Sequence, residues 1–145
     1  MMICRIEVEG IDRTGKDTLV GYLDYMSNRQ IPICSRGLLS TLAYNAIYSR
    51  FMSDSREKEM IKGNKETLIV LLYADIEDLE IRYKMSNERM LDMQREMTVF
   101  EDYAEFLKNE GINVLKFNTT EITPYKIAEQ VIKFIKEENK KWFYS

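Results

Sequence analysis

Apolar residues along this 145-residue chain fall into two alternating kinds of run. The first kind is short and nearly continuous: "ICRIEVE" at 3–9, "IPICS" at 31–35, "TLIVLLYA" at 67–74 and "INVLKF" at 112–117. Such runs, bounded by polar and turn residues, predict strands, and the most continuous of them, 67–74, predicts a strand covered on both faces. The second kind recurs at three and four residues, the period of a helix with one buried face. Leu38, Leu39, Leu42, Ala43, Ala46, Ile47 and Phe51 form one such stripe, which assigns Phe51 to the core. Met90, Met93, Met97, Phe100, Ala104 and Leu107 form another, stopped at Gly111. Ile127, Val131 and Ile135 mark a last helix, opened by Thr123 as N-cap and Pro124 in its first turn. A helix is also predicted from near Gly15 to Asn28, and another after Asp75, which can cap it, with Asp78 in its first turn.

Strands thus alternate with helices from end to end, which predicts an α/β fold with a parallel sheet of about four strands flanked by helices. The length suits one domain spanning 1–145, because a chain of this size buries one core. With a net charge of −3 and a pI near 5.2, a dedicated nucleic-acid surface is not expected. No apolar run approaches the ~20 residues that span a bilayer, and no leader pattern opens the chain, so the expectation is a soluble cytoplasmic protein without a membrane partner. Histidine is absent, and the two cysteines, Cys4 and Cys34, make neither a disulfide framework nor a zinc spacing.

The loop after the first predicted strand carries the clearest chemistry. "GIDRTGKDT", 10–18, fits GxxxxGK[ST] at Gly10, Gly15 and Lys16 and departs from it only at Asp17, with Thr18 following. Placed between a strand and a helix, such a loop turns backbone N–H groups toward a polyphosphate, and the helix N-terminus and the lysine add positive charge. Gly10, Asp12, Thr14, Gly15, Lys16, Asp17 and Thr18 are therefore the candidate residues for the triphosphate, with Lys16 expected to face solvent.

"EGIDRTGK" resembles the Glu-Gly-x-Asp-Arg-x-Gly-Lys loop of thymidylate kinases and related viral deoxynucleotide kinases. "SRGLLSTLAYN", 35–45, resembles that family's Asp-Arg-x-x-x-Ser-x-x-Ala-Tyr-Gln block. "LIVLLYADIEDLEIRYKMSNERM" is similar to its strand and arginine-bearing lid, and the segment from "EMTVFEDY" onward is similar to its C-terminal third. The resemblance implies a P-loop kinase that uses ATP as phosphoryl donor and Mg2+, takes a deoxynucleoside monophosphate, and is compatible with a homodimer.

The same resemblance assigns roles. Lys16 bridges the outer phosphates of the donor, and Arg13 reaches the phosphoryl group in flight. Asp12 orients Arg13 or meets a sugar hydroxyl. Arg36 holds the acceptor phosphate, Ser40 and Tyr44 line the acceptor pocket, and Arg82, with Lys84 or Arg89, comes from the lid. A deoxynucleoside kinase is the alternative acceptor class and needs a base near the 5′-hydroxyl, for which Glu7 and Glu9 are the acids available. A non-catalytic nucleotide-binding protein is the alternative outside enzymes.

Two departures from the family bear on metal binding. Where the family has a hydroxyl after the loop lysine this chain has Asp17, and where it has an aspartate before the second arginine this chain has Ser35. If both face one ion, the exchange keeps one carboxylate and one hydroxyl as magnesium ligands; otherwise Asp17 repels phosphate. Only 19 residues separate Lys16 from Arg36, against several tens in the family. The basic stretch 49–66, with Arg50, Arg56, Lys58, Lys62 and Lys65, is either a cover over the shortened region or a solvated helix end and loop. The methionines at 85, 90, 93 and 97 read as adaptable packing.

Overall fold

In strand β1 (Arg5–Glu9), Ile6 and Val8 are fully buried on one face, and Glu7 and Glu9 are almost as deeply buried on the other. This strand lies at the centre of the molecule. The computed structural model describes residues 2–86 and 92–139. After β1 come α1 (Lys16–Met26), β2 (Ile33–Ser35), α2 (Leu38–Ile47), α3 (Asp54–Lys62), β3 (Thr67–Tyr73), α4 (Ile76–Ser86), α5 (Met93–Asn109), β4 (Asn113–Asn118) and α6 (Pro124–Glu138).

The four strands form one sheet in the order β2-β1-β3-β4, and every pairing is parallel. Val8 lies opposite Ser35 on one side and Val70 on the other, and Tyr73 lies opposite Asn118. All the strands therefore end along one edge, where the loop after β1, Arg36 after β2 and Thr119 after β4 are gathered.

Two cores sandwich the sheet. Ile6, Val8, Leu68, Val70 and Leu72 pack against Leu19 and Leu23 of α1 and Ile127, Val131 and Ile135 of α6. Ile69 and Leu71 face the opposite way, toward Leu39, Leu42 and Ala43 of α2 and Phe100, Ala104 and Leu107 of α5. The periodic residues read from the sequence supply most of both layers. Thr123 caps α6, its side chain accepting from the Lys126 N–H at 3.4 Å, with Pro124 in the first turn.

Phe51 departs from its stripe: it is 93% exposed. The helix stops at Ile47, where Ser49 turns left-handed (φ 53°) and the Arg50 N–H reaches back to the Asn45 carbonyl at 2.7 Å, swinging Phe51 away from the core. Helix α3, capped by Ser53, occupies part of the stretch 49–66, read either as a cover over the site or as a solvated helix end and loop. The Asp75 carboxylate accepts from the Asn118 amide at 3.0 Å. Arg89 and Met90 lie outside the described residues. Among the described residues no helix is long and apolar enough to cross a membrane.

Candidate functional site

Gly10 leaves β1 with φ 143°, and a Cβ there would run into the backbone carbonyl of Leu72, so only glycine fits this turn. The loop then winds through Arg13 (φ 67°) and Gly15 (φ 96°) into α1. Thr14 is fully buried and donates its hydroxyl to the Ile11 carbonyl at 2.8 Å.

Lys16 is not solvent-facing: it is 8% exposed, and its amine donates to the carbonyls of Gly10 at 2.9 Å and Ile11 at 2.8 Å. The loop curls over the lysine, and its own carbonyls are the acceptors within reach. Burial, reinforced by the positive charge of Arg36, lowers its pKa to about 8, against the pull of Asp12, Asp17 and Glu9.

Arg36 leaves β2 with φ 69°, anchored by its N–H to the Val8 carbonyl at 2.9 Å. Arg13 and Arg36 are thus two non-glycine residues in a conformation that L side chains seldom adopt, and both lie in this site. The Arg36 guanidinium donates to Asp12 at 2.6 Å and to the Tyr44 hydroxyl at 3.0 Å, and lies 5.4 Å from the centre of the Tyr44 ring. Asp12 therefore pairs with Arg36, where the resemblance had it orient Arg13 or meet a sugar hydroxyl. The exchange follows from topology, since β1 and β2 are neighbours and their following loops meet.

Ser40 has a different task from the one expected. Its hydroxyl donates to Glu9 at 2.5 Å and its N–H to the same carboxylate at 2.8 Å. Glu9 also accepts from the Gly37 N–H at 3.2 Å, and Glu7 accepts from the Leu38 N–H at 2.9 Å while pairing with Arg5 at 2.7 Å. Two carboxylates on one face of β1 thus cap the N-terminus of α2. A Cβ on Gly37 would collide with the Glu7 carboxylate, so glycine lets the helix end sit down on the strand. Neither acid is free to serve as a base toward a 5′-hydroxyl. Burial, with a contribution from Glu7, holds Glu9 above its ordinary value despite the hydrogen bonds that favour its charge.

Arg82 of α4 closes the third side. It donates to the Arg13 carbonyl at 2.7 Å, to Asp78 at 2.5 Å and to the Thr119 hydroxyl at 3.2 Å. It clamps the loop from outside through backbone contact. Lys84 is exposed at the end of the same helix and is not among the residues lining the cleft.

These elements enclose a cleft of about 690 Å³. The loop from Asp12 to Thr18 forms its floor, Ser35 and Arg36 one wall, and Arg82, Thr119 and Pro124 the other. Asp17, in the first turn of α1, and Ser35, at the end of β2, are both exposed into it. Neither side chain makes a hydrogen bond or close ion pair with the described residues, although Asp17 acts on Lys16 through its charge. A carboxylate and a hydroxyl lining one cleft fit a hard cation, with the remaining positions left to phosphate oxygens and water. Among the described residues no group of three or more His, Cys, Asp or Glu gathers into a metal cage.

Only Arg50 of the basic stretch 49–66 approaches this region, sharing a shallow depression with Arg36, Thr41, Tyr44 and Asn45. Lys58, Lys62 and Lys65 line a separate groove with Phe106 and Glu110. Thr119 escaped the sequence reading although "NTT" directly follows a strand end, where ligands of parallel sheets gather. Glu96 also escaped it. This carboxyl on α5 is 8% exposed, burial raises its pKa, and Asp12 adds to the rise while Arg36 opposes it.

No family model matches this chain, and no curated protein matches it in sequence. Solved structures do match. The YorR protein of Bacillus subtilis, crystallised in complex with phosphorylated GDP, superposes with a TM-score of 0.73 at 16% identity, covering 93% of this chain and 97% of its own. The two chains share one fold. Thymidylate kinase from Candida albicans gives a TM-score of 0.61 at 15% identity, covering 97% of this chain and 94% of its own. At such identities the likeness lies in the fold, and the reading of the cleft rests on its own residues.

Proposed function

We propose that this chain is a nucleotide kinase that passes the γ-phosphoryl group of ATP to a deoxynucleoside monophosphate, with thymidylate as the leading acceptor. The observation that carries the reading is that one cleft gathers Lys16 and three arginines, Arg13, Arg36 and Arg82, from the loop after β1, the end of β2 and α4. Phosphoryl transfer asks chiefly for positioning and for positive charge around the oxygens of the moving group, and this arrangement supplies both. The two structural neighbours, one holding a guanine nucleotide and one a thymidylate kinase, add support from the fold.

In this reading the loop N–H groups and the α1 N-terminus receive the donor phosphates, and the Lys16 amine leaves the Gly10 and Ile11 carbonyls to reach them. Arg36 exchanges Asp12 for the acceptor phosphate, two of whose oxygens suit its planar fork. An acceptor oxygen forms a bond to the γ-phosphorus as the bond to the β–γ bridging oxygen breaks, and ADP departs with that electron pair. Arg13 lies where charge develops on the transferring group. Asp17 and Ser35 are the residues that would hold Mg2+, which when bound neutralises charge on the phosphate oxygens. The deoxynucleoside kinase alternative loses support because Glu7 and Glu9 are committed to capping α2.

The test is to incubate the purified protein with ATP, Mg2+ and a panel of nucleosides and monophosphates that includes thymidylate and deoxyguanylate. Formation of a diphosphate from one of the monophosphates is expected. ADP release that is independent of every acceptor, or no release at all, defeats the proposal.

A further inference from the structure

Helix α2 and the turns at its two ends carry a second feature, which nucleotide transfer uses only at Arg36. The Arg36 guanidinium lies 5.4 Å from the Tyr44 ring, Tyr44 stacks on Tyr48 at 5.9 Å with 18° between the planes, and the Arg50 guanidinium lies 5.2 Å from the Tyr48 ring. Cation, ring, ring and cation follow one another from the mouth of the cleft to the loop after α2. Phe100 supports the ladder from below, meeting Tyr44 edge-on at 5.4 Å. Beyond it, Tyr48 is 53% exposed and Phe51 93% exposed.

The depression alongside has a volume of about 380 Å³ and contains no acidic residue among those that line it. The Asn45 amide opens into it without a hydrogen-bond partner among the described residues, and Arg50 has no carboxylate partner among them. Arg36 belongs to both this depression and the cleft, so the two are continuous. Surface arginines usually find acids in a chain with this acidic balance. Arg36 has Asp12, but Arg50 lies instead against the exposed ring of Tyr48.

We infer that the α2 ladder is a binding platform for a short single-stranded oligonucleotide whose terminal phosphate occupies Arg36. Flat rings stack on bases of any identity, guanidinium groups beside them contact backbone phosphates, and no acid lines the depression itself, Asp12 being held at its cleft end by Arg36. The acidic balance of the whole chain does not oppose a platform this local, because charges beyond about 10 Å are screened at 0.1 M salt. The direction of the strand rests on the assignment of Arg36 to a phosphate; the platform itself rests on the ladder.

The experiment measures binding without ATP, so that it stands apart from transfer. The probe is 5′-phosphorylated tetrathymidylate with a 3′ fluorophore, followed by anisotropy at low salt and displaced by unlabelled tetranucleotide or by thymidylate. The tetranucleotide is expected to bind at least tenfold more tightly than thymidylate. Tyr48→Ala and Arg50→Ala should each weaken it about tenfold, the first through lost stacking and the second through a lost phosphate contact. Both variants should keep thymidylate affinity within twofold, and Arg50→Ala should reduce the salt slope by about one. Equal affinity for the two ligands, or unchanged tetranucleotide binding in both variants, overturns the inference. Loss of kinase activity with retained oligonucleotide binding would count against the proposed function and leave the platform standing.

Discussion

The guanidinium of Arg36 and the carboxylate of Asp12 meet at 2.6 Å across the mouth of the cleft, joining the loop after β1 to the end of β2. Both partners are substantially exposed, so the pair adds little to stability and is available for exchange with a ligand anion. Arg36→Ala should raise the monophosphate concentration needed for half-maximal rate by one to two orders of magnitude while the melting temperature stays unchanged. Arg13→Ala should chiefly lower kcat. Steady-state kinetics on both variants separates the roles, and equal, small effects would leave both as surface charges.

Lys16 gives the site a pH signature. In the free protein its pKa is lowered to about 8, and phosphate binding draws the protonated form toward the anion, so the pKa in the complex is higher. A group that gains proton affinity on binding makes the ligand bind less well as pH rises above the free value. Triphosphate affinity should therefore be flat from pH 6 to 7 and fall about tenfold by pH 9. Calorimetric titration at several pH values checks this, and Lys16→Met should bind weakly at every pH.

Asp17 and Ser35 can be tested by exchange. If both hold the metal, Asp17→Ser should lose Mg2+-dependent binding, and adding Ser35→Asp should restore it by returning the carboxylate to the opposite wall. If Asp17 only repels phosphate, Asp17→Ser alone should tighten Mg2+-free ATP binding, most clearly at low salt. An ATP titration against Mg2+ concentration distinguishes the two results.

Glu9 carries a structural prediction. In Glu9→Gln the side-chain NH2 would have to face one of the donors from Gly37 or Ser40, which should cost about 1–3 kcal/mol at pH 7. Because burial raises the folded pKa of Glu9, its contribution to stability is fully present below the unfolded pKa near 4.5 and declines as pH rises through the folded value. Urea midpoints of the wild type across acidic pH should show that decline, and Glu9→Gln should remove it.

The sheet was legible because its strands are apolar runs, and the helices that pack on it because their stripes keep the helical period. Helix α3 was not: "DSREKEMIK" buries only Ile61, so no stripe exists to be seen. Phe51 was misread because its spacing continues the α2 stripe, while the stop is made by backbone at Ser49 that spacing does not encode. At the site, glycine and lysine spacing located the loop. What the sequence could not supply was the pairing. Ser40 is 31 residues from Glu9, and Arg36 is 24 from Asp12. Both meet their partners only because β2 lies beside β1. The burial of Lys16 was equally out of reach, since it depends on the path of the loop carbonyls.

The order β2-β1-β3-β4 makes β2 an outer strand, and that strand is only three residues long. Long outer strands invite other chains to continue the sheet, and natural proteins blunt them with charge, proline or brevity. Pro32 stands just before β2, its carbonyl turned inward to the Ile6 N–H at 2.9 Å. The brief chain path between Lys16 and Arg36 thus carries a benefit for solubility. It trims the rim of the sheet to a length that offers aggregation little to build on.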